Sequence, residues 1–90
     1  MAAPLDSSQP RLAAGCRWGK EGEDQVVLVP EGMIRLQGTG QSVLELCDGE
    51  RTFRQIVEAL SKRYSTETAK IRDDVAGFLE ALQQKRIVDY

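Results

Sequence analysis

Histidine is absent from all 90 residues, and the two cysteines, Cys16 and Cys47, stand far apart with no CxxC pair. The first absence removes the side chain most often used as a general base at neutral pH. Together they leave neither a zinc-ligand pattern nor a dithiol redox pair, so two reduced, mostly buried thiols are the expectation. Long apolar runs are missing as well. The longest, residues 26–29, falls far short of the roughly 20 residues that a membrane helix requires. Nor is there an excess of positive charge: 12 Lys and Arg stand against 14 Asp and Glu, for a net charge of −2. That balance disfavours a dedicated nucleic-acid binder, whose affinity rests on a basic face that releases counterions. Residues 1–10 also lack the basic and apolar regions of a secretion signal, which points to a cytoplasmic protein without membrane contact.

What is present suits one small folded domain. Hydrophobic residues make up 41% and charged residues 29% of the chain, an ordinary soluble composition. At this length about 60 to 65% of the unfolded surface can be buried, which allows a single core. Residues 1–10 show no periodicity and are expected to be a disordered tail; 11–90 form the domain.

Cys16 and Trp18 alternate as in a short strand, and residues 19–25 read as a polar loop with two glycines. Residues 26–29 are β-branched and apolar, which predicts the central strand. Pro30, Glu31 and Gly32 make a turn into a third strand over residues 33–36. In a simple meander that third strand is an edge, with a free row of backbone groups. Arg35 on it is either a charge that guards against aggregation or part of an edge that accepts an extended peptide.

Three helices follow. Residues 41–47 are stopped by Asp48 and Gly49. Thr52 and Gln55 fit a capping box that opens the second helix, with Phe53, Ile56, Val57, Leu60 and Tyr64 on its apolar face. Ser65 or Thr66 is expected to cap the third, running to about residue 84 with Ile71, Val75, Phe78 and Leu82 as its stripe, widened by Leu79. At 100° per residue, Lys70, Asp74, Gly77, Ala81 and Lys85 share one neighbouring flank. Gly77 within a helix suggests a close approach, either by the sheet edge or by a bound peptide. Ile87 and Val88 are expected to dock as an extended segment. The fold class is therefore α+β, a three-stranded antiparallel sheet followed by three helices, winged-helix-like.

Such folds often bind DNA. A small winged-helix DNA-binding or adaptor module is the competing reading, yet the third helix sets Glu67, Asp73, Asp74 and Glu80 against Lys70 and Arg72, which repel phosphate as much as they attract it. An enzyme is less favoured still. There is no phosphate-binding glycine loop, no nucleophile motif and no metal-ligand cluster, so no catalytic residue, metal or cofactor is expected.

The segments VLVPEGMIRLQ, VLELCDGERTFRQIVEAL, Tyr64 and IRDDVAGFLEALQQKRIV together resemble the PqqD family, over roughly residues 11–90. The resemblance implies a peptide-recognition domain, a chaperone of pyrroloquinoline quinone (PQQ) biosynthesis. It would bind the ribosomal precursor peptide and present it to the radical SAM enzyme of the pathway. It also implies that the peptide adds as a strand beside the third strand and packs against the third helix. By position those elements are Met33, Ile34, Arg35 and Leu36, and the flank of Lys70, Asp74, Gly77, Phe78, Ala81 and Lys85. Arg35, Lys70 and Lys85 would meet acidic side chains of the peptide. A free edge also permits strand exchange, so a monomer or a homodimer is compatible with the sequence.

Overall fold

The computed structural model describes residues 3–90. Its elements run β1 (Arg11–Leu12), β2 (Arg17–Glu21), β3 (Asp24–Val29), β4 (Gly32–Arg35), α1 (Thr39–Glu45), α2 (Phe53–Tyr64), α3 (Thr68–Gln84) and β5 (Val88–Asp89). The expected meander is there, in the order β2-β3-β4 with β3 central and β4 at an edge. The polar stretch 19–25 is less loop than composition suggests. β2 continues through Glu21 and only Gly22 and Glu23 turn the chain, because residues on an exposed face need not be apolar to stay in a ladder.

A second, two-stranded sheet was not legible in the sequence. β1 and β5 pair antiparallel, Arg11 with Asp89 and Leu12 with Val88, and the Ala13 N–H extends the pairing to the Ile87 carbonyl at 2.9 Å. Ile87 and Val88 are buried, as the extended C-terminal segment required.

The expected mobile tail also needs correction. Residues 1 and 2 lie outside the described residues, but the chain from Pro4 to Pro10 is a strap across the helices, with both prolines buried. The Ser8 carbonyl accepts the Phe53 N–H at 2.7 Å and the Asp6 carbonyl accepts the Arg54 N–H at 3.2 Å. Gln55 N–H goes to Thr52 Oγ1 at 3.2 Å, and the Gln55 side chain takes the Thr52 N–H at 2.9 Å, completing the capping box. The first-turn donors of α2, which no helix can satisfy internally, thus all have partners. Backbone carbonyls do this work, so a segment without apolar periodicity can dock.

The start of α3 differs too. Glu67 is its N-cap, without a side-chain hydrogen bond. Ser65 instead ends α2 in the left-handed conformation, at φ 51°, and its neighbour Thr66 returns its N–H to the Ser61 carbonyl at 3.2 Å.

One core joins all layers. Val27 from β3, Val43 and Leu44 from α1, Phe53, Ile56, Val57 and Leu60 from α2, and Ile71, Val75, Leu79 and Leu82 from α3 form it, closed by Ile87 and Val88. Leu60 has no exposure at all, and cutting such a side chain to alanine costs about 2 to 5 kcal/mol. The stripe of α3 is turned slightly from the expected one. Leu79 rather than Phe78 is fully buried, which leaves Phe78 half-buried at the rim where α3 meets the sheet and α1.

Candidate functional site: the β4 edge and the α3 flank

The register determines what β4 offers. Its two-residue loop closes on the pair Val29 and Gly32, followed by Leu28 with Met33, Val27 with Ile34, and Val26 with Arg35. In an antiparallel ladder a two-residue loop closes on a hydrogen-bonded pair, and bonded and non-bonded pairs then alternate. The bonded partners are thus Gly32 and Ile34. The N–H and C=O groups of Met33 and Arg35 point away from β3, to the open edge.

Side chains alternate with them. Trp18, Val27 and Ile34 lie across from one another on the core face. Met33, 46% exposed, and Arg35 stand on the outer face. There the Leu28 side chain occupies the space a Cβ on Gly19 would need, with its Cγ only 2.8 Å from that position. Arg35 borders a small cleft with Asp24, Gln25, Leu36, Gln37 and Gln41. It spans the outer face to pair with Glu21 and, at 2.8 Å, with Asp24. A peptide carboxylate that meets Arg35 there would share it with these two exposed partners.

Facing this edge, the α3 flank divides into three parts. Lys70, Asp74 and Phe78 line a cleft of about 350 Å³ together with Gly40, Val43 and Tyr64. Lys70 Nζ and Asp74 Oδ2 pair at 3.2 Å on its rim, both well exposed, a contact worth less than about 1 kcal/mol in such surroundings. Lys85 lines a different cleft beside Ile34 and the β3–β4 turn. Gly77 and Ala81 lie between the two, both exposed. Beyond its own helix backbone, no described residue comes within 4 Å of a Cβ built on Gly77, so this glycine does not pack against the chain's own sheet edge.

Two lining residues escaped the sequence reading. Gly40, between the expected third strand and first helix, lets Phe78 reach α1: the ring's Cζ lies 3.3 Å from where its Cβ would be, with Leu36 Cδ2 at 3.9 Å. Tyr64 closes the apolar spacing expected for α2, yet it is 40% exposed. Its hydroxyl sits 2.7 Å from Oγ of the buried Ser42. Its position one turn beyond Leu60, at the end of α2, was the available signal, since helix ends leave the core.

Among the described residues no group of three or more His, Cys, Asp or Glu side chains is placed to hold a metal ion, and no helix is long and apolar enough to cross a membrane. Cys47 is 5% exposed, and burial, helped by the neighbouring Asp48 charge, pushes its thiol up to about 12, far from a reactive thiolate.

An unpaired strand edge beside a helix flank with a cleft at each end, on a three-stranded sheet backed by three helices, defines a small winged-helix-like α+β domain. Residues 24–88 match the profile of the family described as Coenzyme PQQ synthesis protein D (PqqD). The chain belongs to the PqqD family. It is 42% identical over 72 residues to the PqqA binding protein of Klebsiella pneumoniae (strain 342), covering 79% of this chain and 77% of that one. It is 38% identical over 82 residues to the PqqA binding protein of Pseudomonas aeruginosa (strain UCBPP-PA14), covering 89% and 88%. The solution NMR structure of the PqqD truncation of Methylobacterium extorquens PqqCD, described as a functional, stand-alone recognition element for ribosomally synthesized and post-translationally modified peptides, superposes with a TM-score of 0.78. It is 33% identical, with 98% of this chain and 96% of that one covered. TbiB1, solved with the TbiA(β) leader peptide, shares the fold at 21% identity and a TM-score of 0.75, over 88% and 94% of the two chains.

Proposed function

We propose that this chain binds the PqqA precursor peptide in PQQ synthesis by adding it as a strand to β4, without itself catalysing a reaction. The observation that carries the reading is the outward row of Met33 and Arg35 backbone groups, running alongside a helix flank that no described residue covers at Gly77 and Ala81. Backbone hydrogen bonds supply affinity independent of sequence; side chains on alternate peptide residues then face either the outer sheet face or the α3 flank. Residues 11–90, with the strap of residues 4–10 docked on them, constitute the recognition domain, and the bound peptide is presented to a radical SAM enzyme through a surface away from the groove. The protein acts in the cytoplasm, as a monomer or a homodimer, and nucleic acid is not its ligand.

The test is a backbone amide NMR titration with synthetic PqqA. Shifts concentrated on residues 33–36 and along α3 are expected. Shifts confined to α2 and the β1–β5 sheet, or none at high peptide excess, refute strand addition at β4.

A further inference from the structure

The second cleft, at the β3–β4 turn end of the groove, has a volume of about 610 Å³ and is lined among others by Cys16, Pro30, Glu31, Ile34, Lys85 and Arg86. Ile34 makes it continuous with the strand edge, since its neighbours Met33 and Arg35 carry the free backbone groups. The charges here differ from those on the rest of α3. Lys70 is paired with Asp74 and Arg72 with Asp6, whereas Lys85 and Arg86 form no ion pair among the described residues.

Arg86 also occupies an unusual backbone position. It follows the helix at φ 61°, in the left-handed region where glycine or asparagine is at ease. Its backbone is held on both sides: the N–H donates to the Gln83 carbonyl at 2.9 Å, and its own carbonyl accepts from Cys16 Sγ at 3.7 Å. Glu31 is the one carboxylate in the lining, and the C-terminal carbonyls of α3 add about half a negative charge. Two full cations exceed that sum.

We infer that this cleft is a carboxylate subsite of the peptide groove: an Asp or Glu side chain of the bound peptide enters beside Ile34 and is held by Lys85 and Arg86. The inference rests on strand addition at β4. Arg86 supplies a planar fork suited to a carboxylate, and Lys85 a point charge. Glu31 on the opposite rim restricts the cleft to one anion, so the subsite sets which peptide residue lies at the turn end of β4.

The experiment is calorimetric titration of PqqA, and of PqqA with every Asp and Glu replaced by Asn and Gln, into the wild type, Lys85→Met, Arg86→Gly and the double variant. Glycine tolerates φ 61°, so Arg86→Gly retains the fold, and Lys85→Met provides a second, independent reading. Each single variant is expected to weaken PqqA binding roughly tenfold, as for loss of a charged hydrogen bond, and the double variant to bind both peptides alike. Cys16, half-buried in the cleft, becomes slower to alkylate with iodoacetamide when PqqA is bound. Unchanged affinity in both single variants with wild-type binding intact overturns the carboxylate subsite and leaves strand addition standing. Absence of wild-type binding overturns both.

Discussion

Replacing Gly77 separates stability from binding. The residue lies well inside α3, a helix of 17 residues, and beyond its own helix backbone no described residue comes within 4 Å of a Cβ there. Gly77→Ala thus adds no clash and removes the backbone-entropy cost of a mid-helix glycine, a gain of roughly 0.8 to 1 kcal/mol. For a domain of this size that raises the thermal midpoint by about 4 to 8 °C. Gly77→Leu gains nearly as much, since leucine is also a strong helix former, but its side chain projects from the flank midway between the two clefts. A peptide lying against that flank must move off, and an affinity loss of at least about tenfold, or 1.4 kcal/mol, is expected. Thermal melts by circular dichroism and calorimetric titration with PqqA read the two effects. Higher stability with weaker binding cannot come from partial unfolding. A Gly77→Leu protein that binds as tightly as the wild type refutes the placement of the peptide on this flank. A fall in its melting temperature refutes the claim that the position is open.

Other consequences concern the scaffold. Thr52→Ala removes the Oγ1 that accepts the Gln55 N–H in the α2 capping box, leaving the Thr52 N–H to the Gln55 side chain, and should lower stability by about 1 kcal/mol, seen as a reduced urea midpoint; Thr52→Ser should restore it. Above pH 9.0 the unfolded chain ionises Cys47 while the folded protein, with its thiol near 12, does not. Stability from this group is therefore complete below pH 9.0 and declines as pH rises toward 12, by about 1.4 kcal/mol at pH 10; Cys47→Ala should flatten the alkaline limb of a pH–urea profile. At the acid end, the hydrogen bond from Arg72 holds the Asp6 carboxyl below its ordinary 3.8, and backbone N–H groups of Arg51 and Glu50 do the same for Asp48. Both contribute stability that is present above pH 3.8 and lost as pH falls through their folded values, so Asp48→Asn should show a shallower acid limb.

Much of the architecture was readable because it rests on local signals. The β-branched run at residues 26–29, the turn at Pro30 and Glu31, the capping box at Thr52 and the apolar spacing of α2 depend on neighbours within a few positions, and all appear where expected. β4 as an edge strand followed from chain order, and the α3 flank from the helical period alone. The polarity of individual residues was harder. Arg35 and Tyr64 carry side chains that suit either a site or a surface; cross-strand pairing sent the first to Glu21 and Asp24, and the end of α2 left the second at a cleft rim.

What the sequence by itself determined is the three strands of the meander, the three helices and their order, since period and caps are properties of short segments. Only the tertiary structure decided the rest. The docking of residues 4–10 and the pairing of β1 with β5 run through backbone N–H and C=O groups, which every residue but proline carries in full and which leave no mark in composition. The register of β4 turned the amides of Met33 and Arg35 outward, and the packing of Phe78 over Gly40 opened one cleft while the left-handed Arg86 bordered the other. These arise from contacts between segments distant in the chain, where no local period reaches.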